Sequence, residues 1–227
     1  MPKYEGILRK VPIFSSLNEE TLLQIDQVCI KMNYQKGNII LFEHDEGNAL
    51  FFIVKGEVKI SRESDDGREV ILSLIQDSDV FGEMSLLDGM PRSANVTAME
   101  DTELYMIKRE DFLELLNNHP DVSIALLEEI THRLREAGMR IKSLSLNDAE
   151  GKVAMVLLQI ADEKGKIKNG IVEIEKLPFQ HDLANMAGTS RETISRTLHS
   201  FAKKGLVELE GSKLRIIKYE QFKDIYT

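Results

Sequence analysis

Short apolar runs separated by turn residues dominate residues 32–107, a pattern that predicts β-strands. A helical pattern entered at Ser15 precedes the first run, and Asp66-Gly67 signals a hairpin between two of them. Many short antiparallel strands with glycine turns are typical of a jelly-roll-like barrel. The predicted strands are residues 38–42, 49–54, 57–62, 70–74, 95–98 and 103–107.

From residue 109 onward the apolar spacing becomes helical. Six small or apolar residues alternate at intervals of three and four: Leu127, Ile130, Leu134, Ala137, Ile141 and Leu144. This is the a/d seam of a heptad repeat, and charged residues flank it. One interpretation is an amphipathic helix packed on its own domain. We favour a parallel two-helix homodimer, because the spacing holds for more than two heptads.

The heptad pattern ends at Asn147-Asp148, where Asp148 can cap a new helix. Residues 164–170 form a polar loop, and 171–175 alternate like a strand. Residues 182–187 and 191–203 read as two helices joined by Gly188-Thr189, the composition of a helix-turn-helix. A hairpin over 206–217 would form the wing of a winged helix.

The second of these helices has a polar outer face that suits the edges of bases in the major groove of DNA. The alternative is a structural helix pair with a solvated face. The predicted DNA-binding residues are Gln180, Ser190, Arg191, Glu192, Ser195, Arg196 and His199. Gln180, Lys203 and Lys204 are expected to contact phosphates, which position the protein without specifying sequence.

The stretch 81–94 combines two glycines with an acid, Glu83, and with Arg92-Ser93. Glycines allow close backbone approach to a ligand. A carboxylate can accept from a hydroxyl pair, and a guanidinium beside a hydroxyl suits a phosphate. The alternative is an ordinary surface loop in which Glu83 and Arg92 form an ion pair and bind no ligand.

Composition limits the class of protein. The chain has 227 residues, 42% of them hydrophobic, and a net charge of −9. The acidic excess lies before residue 146, so the C-terminal part is the candidate for nucleic acid. Cys29 is the only cysteine, which excludes an internal disulfide and multi-cysteine metal sites. With no signal peptide or membrane span in sight, we expect a cytoplasmic protein with no membrane partner.

Enzyme signatures are missing as well. The sequence has no zinc-type His/Cys cluster, no Walker lysine loop and no Gly-x-Ser-x-Gly elbow. We therefore expect no catalytic residues and no metal site.

Together these patterns resemble the cyclic-AMP receptor protein / fumarate–nitrate regulator (Crp/Fnr) family over nearly the whole chain. The stretches 82–86 and 91–94 are similar to its phosphate-binding cassette. By that resemblance Glu83 would take a ribose 2′-hydroxyl, Arg92 with Ser93 the cyclic phosphate, and Arg133 would approach the site. The implied effector-binding residues are Gly82, Glu83, Met84, Ser85, Arg92, Ser93, Arg133, Ala137 and Gly138.

The chain departs from the family pattern in two ways. The Thr-Ser pair with which the cyclic-AMP receptor protein contacts adenine falls on Ala137 and Gly138, so adenine specificity is not implied. The oxygen-sensing branch has an N-terminal cysteine cluster, so no iron–sulfur cluster is expected here. A haem is not expected either, because the spacing of the available histidines, His44, His119 and His132, indicates no axial ligand pair.

The resemblance implies an α+β architecture: a barrel over 1–108, a long dimerisation helix over 109–146 and a winged helix-turn-helix over 147–227. It implies a homodimeric regulator gated by cyclic AMP or a similar phosphate-bearing effector through a hinge near Asn147-Asp148. Expected partners are a DNA palindrome with TGA-type half-sites and RNA polymerase, the latter through residues 164–170. Two alternatives stay open: a ligand-independent family member, and a nucleotide-sensing subunit that binds protein instead of DNA.

Overall fold

The computed structural model describes residues 5–226. The chain divides into two compact units, one that ends at Leu134 and one that begins at Arg135. This division falls within the stretch that the sequence predicts as the dimerisation helix.

Two four-stranded antiparallel sheets form most of the first unit, with strand orders β1-β8-β3-β6 and β2-β7-β4-β5. The barrel-like arrangement of antiparallel strands predicted from the sequence is thus confirmed. In chain order the elements are α1 (Glu5–Leu8), α2 (Glu19–Val28), β1 (Ile30–Tyr34), β2 (Ile39–Leu41), β3 (Ala49–Lys55), β4 (Glu57–Glu63), β5 (Glu69–Gln76), β6 (Val80–Phe81), α3 (Glu83–Asp88), β7 (Asn95–Ala98), β8 (Thr102–Lys108), α4 (Arg109–Asn118) and the start of α5 (Pro120–Leu146).

Strand β3 supplies both cores of this unit, because successive residues of a strand point to opposite faces. Phe51 lies in the core between the two sheets, with Val58 and Val96 of the second sheet. Phe52 lies on the other side of its sheet, in the core that the helices cover, and packs on Phe14 in an edge-to-face contact. A run that is apolar on both faces therefore marks the central strand.

The helical stretch over 109–146 is broken once. Helix α4 ends at Asn118, and α5 begins at Pro120. His119, between them, has φ −131° and ψ 84°, which is not helical. Proline disfavours the helical conformation in the residue before it and has no N–H to donate, which explains the break.

The predicted seam of α5 divides into two kinds of position. Leu127, Leu134 and Ile141 are strongly exposed and spaced by seven residues. Ile130 packs against the core of the first unit. Leu144 is half-buried in the second unit. The exposed apolar stripe thus has the heptad period, while Ile130 and Leu144 pack within their own units.

One four-stranded sheet and four further helices follow α5 in the second unit. The sheet has the order β11-β12-β10-β9. Asp148 caps α6 by accepting from the N–H of Gly151, as predicted. The segment 164–170, which was predicted as a polar loop, contains a short strand, β9. The polar sequence of this segment gave no strand signal. The elements are α6 (Ala149–Lys164), β9 (Lys166–Lys168), β10 (Ile171–Ile174), α7 (Gln180–Ala187), α8 (Arg191–Lys203), β11 (Val207–Glu210), β12 (Lys213–Ile216) and α9 (Tyr219–Tyr226).

Aromatic packing fastens the last helix to α8. Phe201, Phe222 and Tyr226 lie with ring centroids 5.0–5.4 Å apart. The hydroxyl of Tyr226 and the ammonium of Lys204 both donate to Oε1 of Glu150 at the start of α6. Helices α6, α8 and α9 are therefore held as one body.

Candidate effector site and DNA-binding surface

Helix α3 builds the candidate effector site by burying its polar residues. The flanking Gly82 and Gly89 both adopt the left-handed conformation, with φ of 83° and 72°. A Cβ at Gly82 would lie 2.7 Å from Nη1 of Arg92 and 3.1 Å from the carbonyl oxygen of Ala49. Only glycine allows both the conformation and this approach, so Gly82 brings the backbone against the guanidinium.

Arg92 is the buried cation of the site, and only 4% of its surface is exposed. Nη1 donates to the carbonyl of Gly82 at 2.8 Å, and Nη2 donates to that of Ala49 at 2.9 Å. Its guanidinium lies over the ring of Phe51. Burial lowers the pKa of Arg92, and the nearby carboxylates of Glu83 and Asp45 oppose that shift. Arginine still stays charged at neutral pH.

One donor of this buried cation has no protein partner. Nε of Arg92 makes no hydrogen bond among the described residues. A buried donor without a partner costs free energy that a bound acceptor would recover. The arrangement therefore fits an anion, and a phosphate offers the acceptor oxygens that a guanidinium binds best.

Glu83 is the buried acid of the site. Its Oε1 lies 3.1 Å from Nη1 of Arg133 on α5. Arg133 also donates to the carbonyl of Val80 and, through Nε, to Glu129, both at 2.7 Å. Burial acts to lower the pKa of Arg133, but the negative charges of Glu83 and Glu129 prevail and raise it. The ion pair with Arg133 thus holds the Glu83 side chain in place, and the structure brings Arg133 to the cassette as the resemblance implied.

The backbone before β3 completes the site, and the sequence did not reveal it. Gly47 packs so closely that a Cβ there would lie 2.1 Å from Cβ of Ser85 and 3.2 Å from Cζ of Arg92. The N–H of Arg92 donates to the carbonyl of Asp45 at 2.8 Å. Gly47 lies in the turn-like run Asp45-Glu46-Gly47-Asn48, but nothing local indicates that this turn meets residues forty positions later.

The remaining effector residues are placed as follows. Ser85 is buried, whereas Met84 and Ser93 are exposed. Ser93 Oγ donates to the thioether sulfur of Met84 at 3.5 Å. Ala137 and Gly138 are exposed on the part of α5 that belongs to the second unit.

The helix-turn-helix is formed by α7 and α8. Gly188 ends α7 in the left-handed conformation with φ 58°, and the side chain of Ser190 caps α8 by accepting from the N–H of Thr193. The apolar face of α8 is buried through Ile194, Leu198 and Phe201. This is the close helix crossing that the turn composition predicted.

All seven predicted DNA-contacting residues lie exposed at this surface, on α7, α8 and the cap between them. They are Gln180, Ser190, Arg191, Glu192, Ser195, Arg196 and His199. Hydrogen bonds from its own backbone N–H and from Ser190 lower the pKa of Glu192, which keeps it an acceptor. Lys204, predicted as a phosphate contact, pairs with Glu150 in this structure.

The hairpin of β11 and β12 forms the predicted wing, and its charges are paired across strands. Arg215 lies 2.7 Å from Glu208, and Lys213 lies 2.8 Å from Glu173. The wing therefore presents little free positive charge, and the candidate base-reading side chains are concentrated on α8.

Other types of site have no support in the described part of the chain. Between residues 5 and 226, no cluster of three His, Cys, Asp or Glu side chains could hold a metal ion. None of the helices there is long and apolar enough to cross a membrane.

Comparison with known proteins gives the same two modules. Residues 31–119 match the cyclic nucleotide-binding domain family, and residues 151–225 match the Crp-like helix-turn-helix domain family. The chain is 30% identical over 217 residues to the CRP-like cAMP-activated global transcriptional regulator of Mycobacterium tuberculosis, covering 96% of this chain and 97% of the relative. It is 37% identical over 198 residues to the cyclic AMP receptor protein of Thermus thermophilus, covering 87% and 88% respectively.

Solved structures agree on the fold. FixK2 from Bradyrhizobium japonicum superposes with a TM-score of 0.78 at 22% identity, covering 88% of this chain and 98% of that one. The Thermus thermophilus catabolite activator protein is 34% identical, with a TM-score of 0.54 and coverage of 95% and 98%. The order of barrel, long helix and helix-turn-helix, together with these relatives, shows that the chain belongs to the Crp/Fnr family of DNA-binding transcription regulators.

Proposed function

We propose that this regulator is gated by a cyclic nucleotide bound at the cassette of the first unit. The observation that carries the proposal is the buried guanidinium of Arg92, whose Nε has no partner among the described residues. Beside it lie Ser93, which is exposed, and the buried side chain of Glu83. A cyclic phosphate on a ribose offers an anion and a free 2′-hydroxyl, which are the groups that this set complements. The relatives named above as cAMP-activated or as a cyclic AMP receptor support the same class of effector.

The candidate site has fewer side chains that could recognise the base of a nucleotide than side chains that could bind its ribose and phosphate. By the resemblance, Ala137 and Gly138 take the positions that contact the base, and neither has a side-chain hydroxyl. We therefore propose that cyclic AMP and cyclic GMP differ less in affinity than a hydroxyl-bearing helix would allow.

Calorimetric titration with each cyclic nucleotide tests this proposal. We expect binding by the unaltered protein and a loss of at least about 30-fold, roughly 2 kcal/mol, for Arg92→Ala. Arg68→Ala is the matched control, because the side chain of Arg68 is 83% exposed and pairs with Asp66 in the same hairpin. Equal binding by wild type and Arg92→Ala would contradict the assignment of the site.

One observation favours a second candidate, activity without effector. The recognition groups are largely satisfied inside the protein, Glu83 by Arg133 and Arg92 by two carbonyls. Tight, sequence-specific DNA binding with no heat from either cyclic nucleotide would support this alternative. The helix-turn-helix and the family it belongs to argue against a subunit that binds only protein.

We further propose that the protein acts as a homodimer on a palindrome with TGA-type half-sites. The exposed stripe of Leu127, Leu134 and Ile141 would pair two copies of α5. Two-fold symmetry then requires half-sites about 34–36 Å apart, one turn of DNA. Selection of binding sequences from a random pool would reveal the half-site and its spacing.

A contact with RNA polymerase is proposed for the segment 164–170. Ile167 is 74% exposed between Lys166 and Lys168, and a large apolar side chain at such a position suits a protein partner. Replacing Ile167 with Ser should lower transcription without lowering DNA affinity.

A further inference from the structure

The thioether of Met84 lies beside the effector site, outside its buried part. Ser93 Oγ donates to Met84 Sδ at 3.5 Å. Met84 is 52% exposed, so its side chain is open to small solutes. A thioether is a weak acceptor. The Ser93 proton is therefore held loosely, and a phosphate oxygen can take it over when effector binds.

We propose that Met84 is an oxidative modification site whose sulfoxide weakens effector binding, an inference that rests on the proposed function. Hydrogen peroxide would transfer one oxygen atom to Sδ. The O–O bond breaks and an S–O bond forms, the sulfur is oxidised by two electrons, and water leaves. The product is methionine sulfoxide, which methionine sulfoxide reductases return to the thioether.

Oxidation would weaken effector binding because the hydroxyl of Ser93 has only one proton to donate. A sulfoxide oxygen is polar and accepts hydrogen bonds far better than a thioether does. Because Met84 already lies within hydrogen-bond distance of Ser93 Oγ, the sulfoxide competes with the phosphate for that proton. Effector binding must then break a stronger bond, so its affinity falls.

The rest of the chain supplies internal controls. Met90 follows α3 and is more exposed than Met84, at 62%, so it is the matched control for oxidation at this surface. Burial, with the charges of Asp26 and Asp111, raises the pKa of the Cys29 thiol to about 12. Cys29 therefore carries almost no thiolate at neutral pH and reacts slowly with peroxide.

The experiment compares full-length wild type, Met84→Leu, Met90→Leu and Ser93→Ala before and after hydrogen peroxide. Peptide mass spectrometry gives the extent of oxidation at each methionine, and calorimetry gives the affinity for cyclic AMP. We expect oxidised wild type and oxidised Met90→Leu to lose about tenfold in affinity, corresponding to one hydrogen bond to a charged group. Met84→Leu should have the same affinity before and after peroxide, whatever its starting value. Ser93→Ala should start weaker and lose no more, because the two changes act through one hydroxyl. Reductase treatment should restore wild type.

Two results would overturn the inference. One is unchanged affinity of wild type in which Met84 is fully converted to sulfoxide. The other is an equal loss in Met84→Leu, which would place the sensitive residue elsewhere. Failure of all untreated proteins to bind any cyclic nucleotide is a different outcome: it contradicts the proposed function, and the inference falls with it.

Discussion

At the scale of single residues, Arg133 stabilises an otherwise costly buried carboxylate. Glu83 is 6% exposed and lies 3.1 Å from Nη1 of Arg133. Breaking a buried pair by removing one partner leaves an uncompensated charge. Arg133→Met should therefore lower the free energy of unfolding of the first unit by about 3 kcal/mol, measured by urea denaturation.

The double variant distinguishes charge from packing. Glu83→Gln in the Arg133→Met background removes the orphaned charge and should recover part of the loss. Arg68→Met, in an exposed pair, should leave the midpoint unchanged. If the double variant were as unstable as the sum of the two single changes, the two side chains would not be coupled.

Replacing Arg196 tests whether the exposed side of α8 recognises DNA bases. It is exposed on α8 and can pair with guanine. Arg196→Ala should reduce discrimination between a TGA-type palindrome and random DNA by roughly 1–3 kcal/mol per contacted base pair, measured by fluorescence anisotropy. Lys203→Ala, at the end of the same helix, should weaken binding to both DNAs equally and reduce the salt slope by about 1. Equal loss on both DNAs for Arg196→Ala would show that it contacts only phosphate.

Site residues found from the sequence are those that lie in one short stretch. Glu83, Arg92 and Ser93 share a loop, so their types and spacing are visible in the sequence. Gly47, Ala49 and Phe51 were missed because they meet Arg92 only after strands far apart in sequence pair. Arg133 was identified only through resemblance, since helical periodicity says nothing about its hydrogen bonds to Val80 and Glu83.

At the scale of elements, the heptad pattern of α5 combines two rows of apolar positions, one exposed and one packed within its own unit. Ile141 is exposed, whereas Leu144 packs so that its Cδ2 lies 3.2 Å from where a Cβ of Gly188 would be, at the turn of the helix-turn-helix. Ile141→Ala should raise the dimer dissociation constant at least about tenfold by removing apolar surface from the seam. Leu144→Ala should leave the dimer intact and destabilise the second unit by about 2 kcal/mol.

Analytical ultracentrifugation and thermal unfolding of the two variants separate these effects. They are matched truncations one helical turn apart. If Leu144→Ala dissociated the dimer and Ile141→Ala did not, the dimer seam would follow the row of positions that contains Leu144.

The attachment of α9 and α8 to α6 should depend on pH. Hydrogen bonds from Lys204 and Tyr226 lower the pKa of Glu150. A carboxyl whose folded pKa lies below its unfolded value of about 4.3 stabilises the fold above that value, and loses the contribution as pH falls through the lowered pKa. Glu150→Gln should therefore lower Tm at pH 7 by a few degrees, about 1 kcal/mol, and by much less at pH 3.5. A difference in Tm that stayed constant across this range would mean that the ionised form is not the stabilising one.

Element types followed from periodicity, and their ends followed from local chemistry. Strands β2–β5, β7, β8 and helix α8 were predicted because alternation, Asp66-Gly67 and the Ser190 cap act locally. Strands β1 and β6 were not among the predicted strands. The break at His119 was missed because apolar spacing runs through it, although Pro120 was the available signal. Strand β9 was missed because an exposed hairpin edge is not patterned by burial.

At the scale of the whole molecule, α5 contains the boundary between the two units, and the proposed gating would be transmitted along this helix. Arg133 fastens α5 to the cassette of the first unit, and Arg140 donates to Gln159 of α6 in the second. An effector can regulate DNA binding only if it binds one state of the dimer better than another. Coupling energies of this kind are typically 1–3 kcal/mol, or 5- to 150-fold in affinity.

The most direct test of the central claim is the affinity of the dimer for its palindrome with and without saturating cyclic AMP, measured by fluorescence anisotropy at fixed salt. We predict that the nucleotide tightens or weakens binding by at least fivefold in wild type and in Arg68→Ala, and leaves Arg92→Ala unchanged. The contradicting result is a DNA affinity that does not change when cyclic AMP is added, although calorimetry shows that the nucleotide is bound.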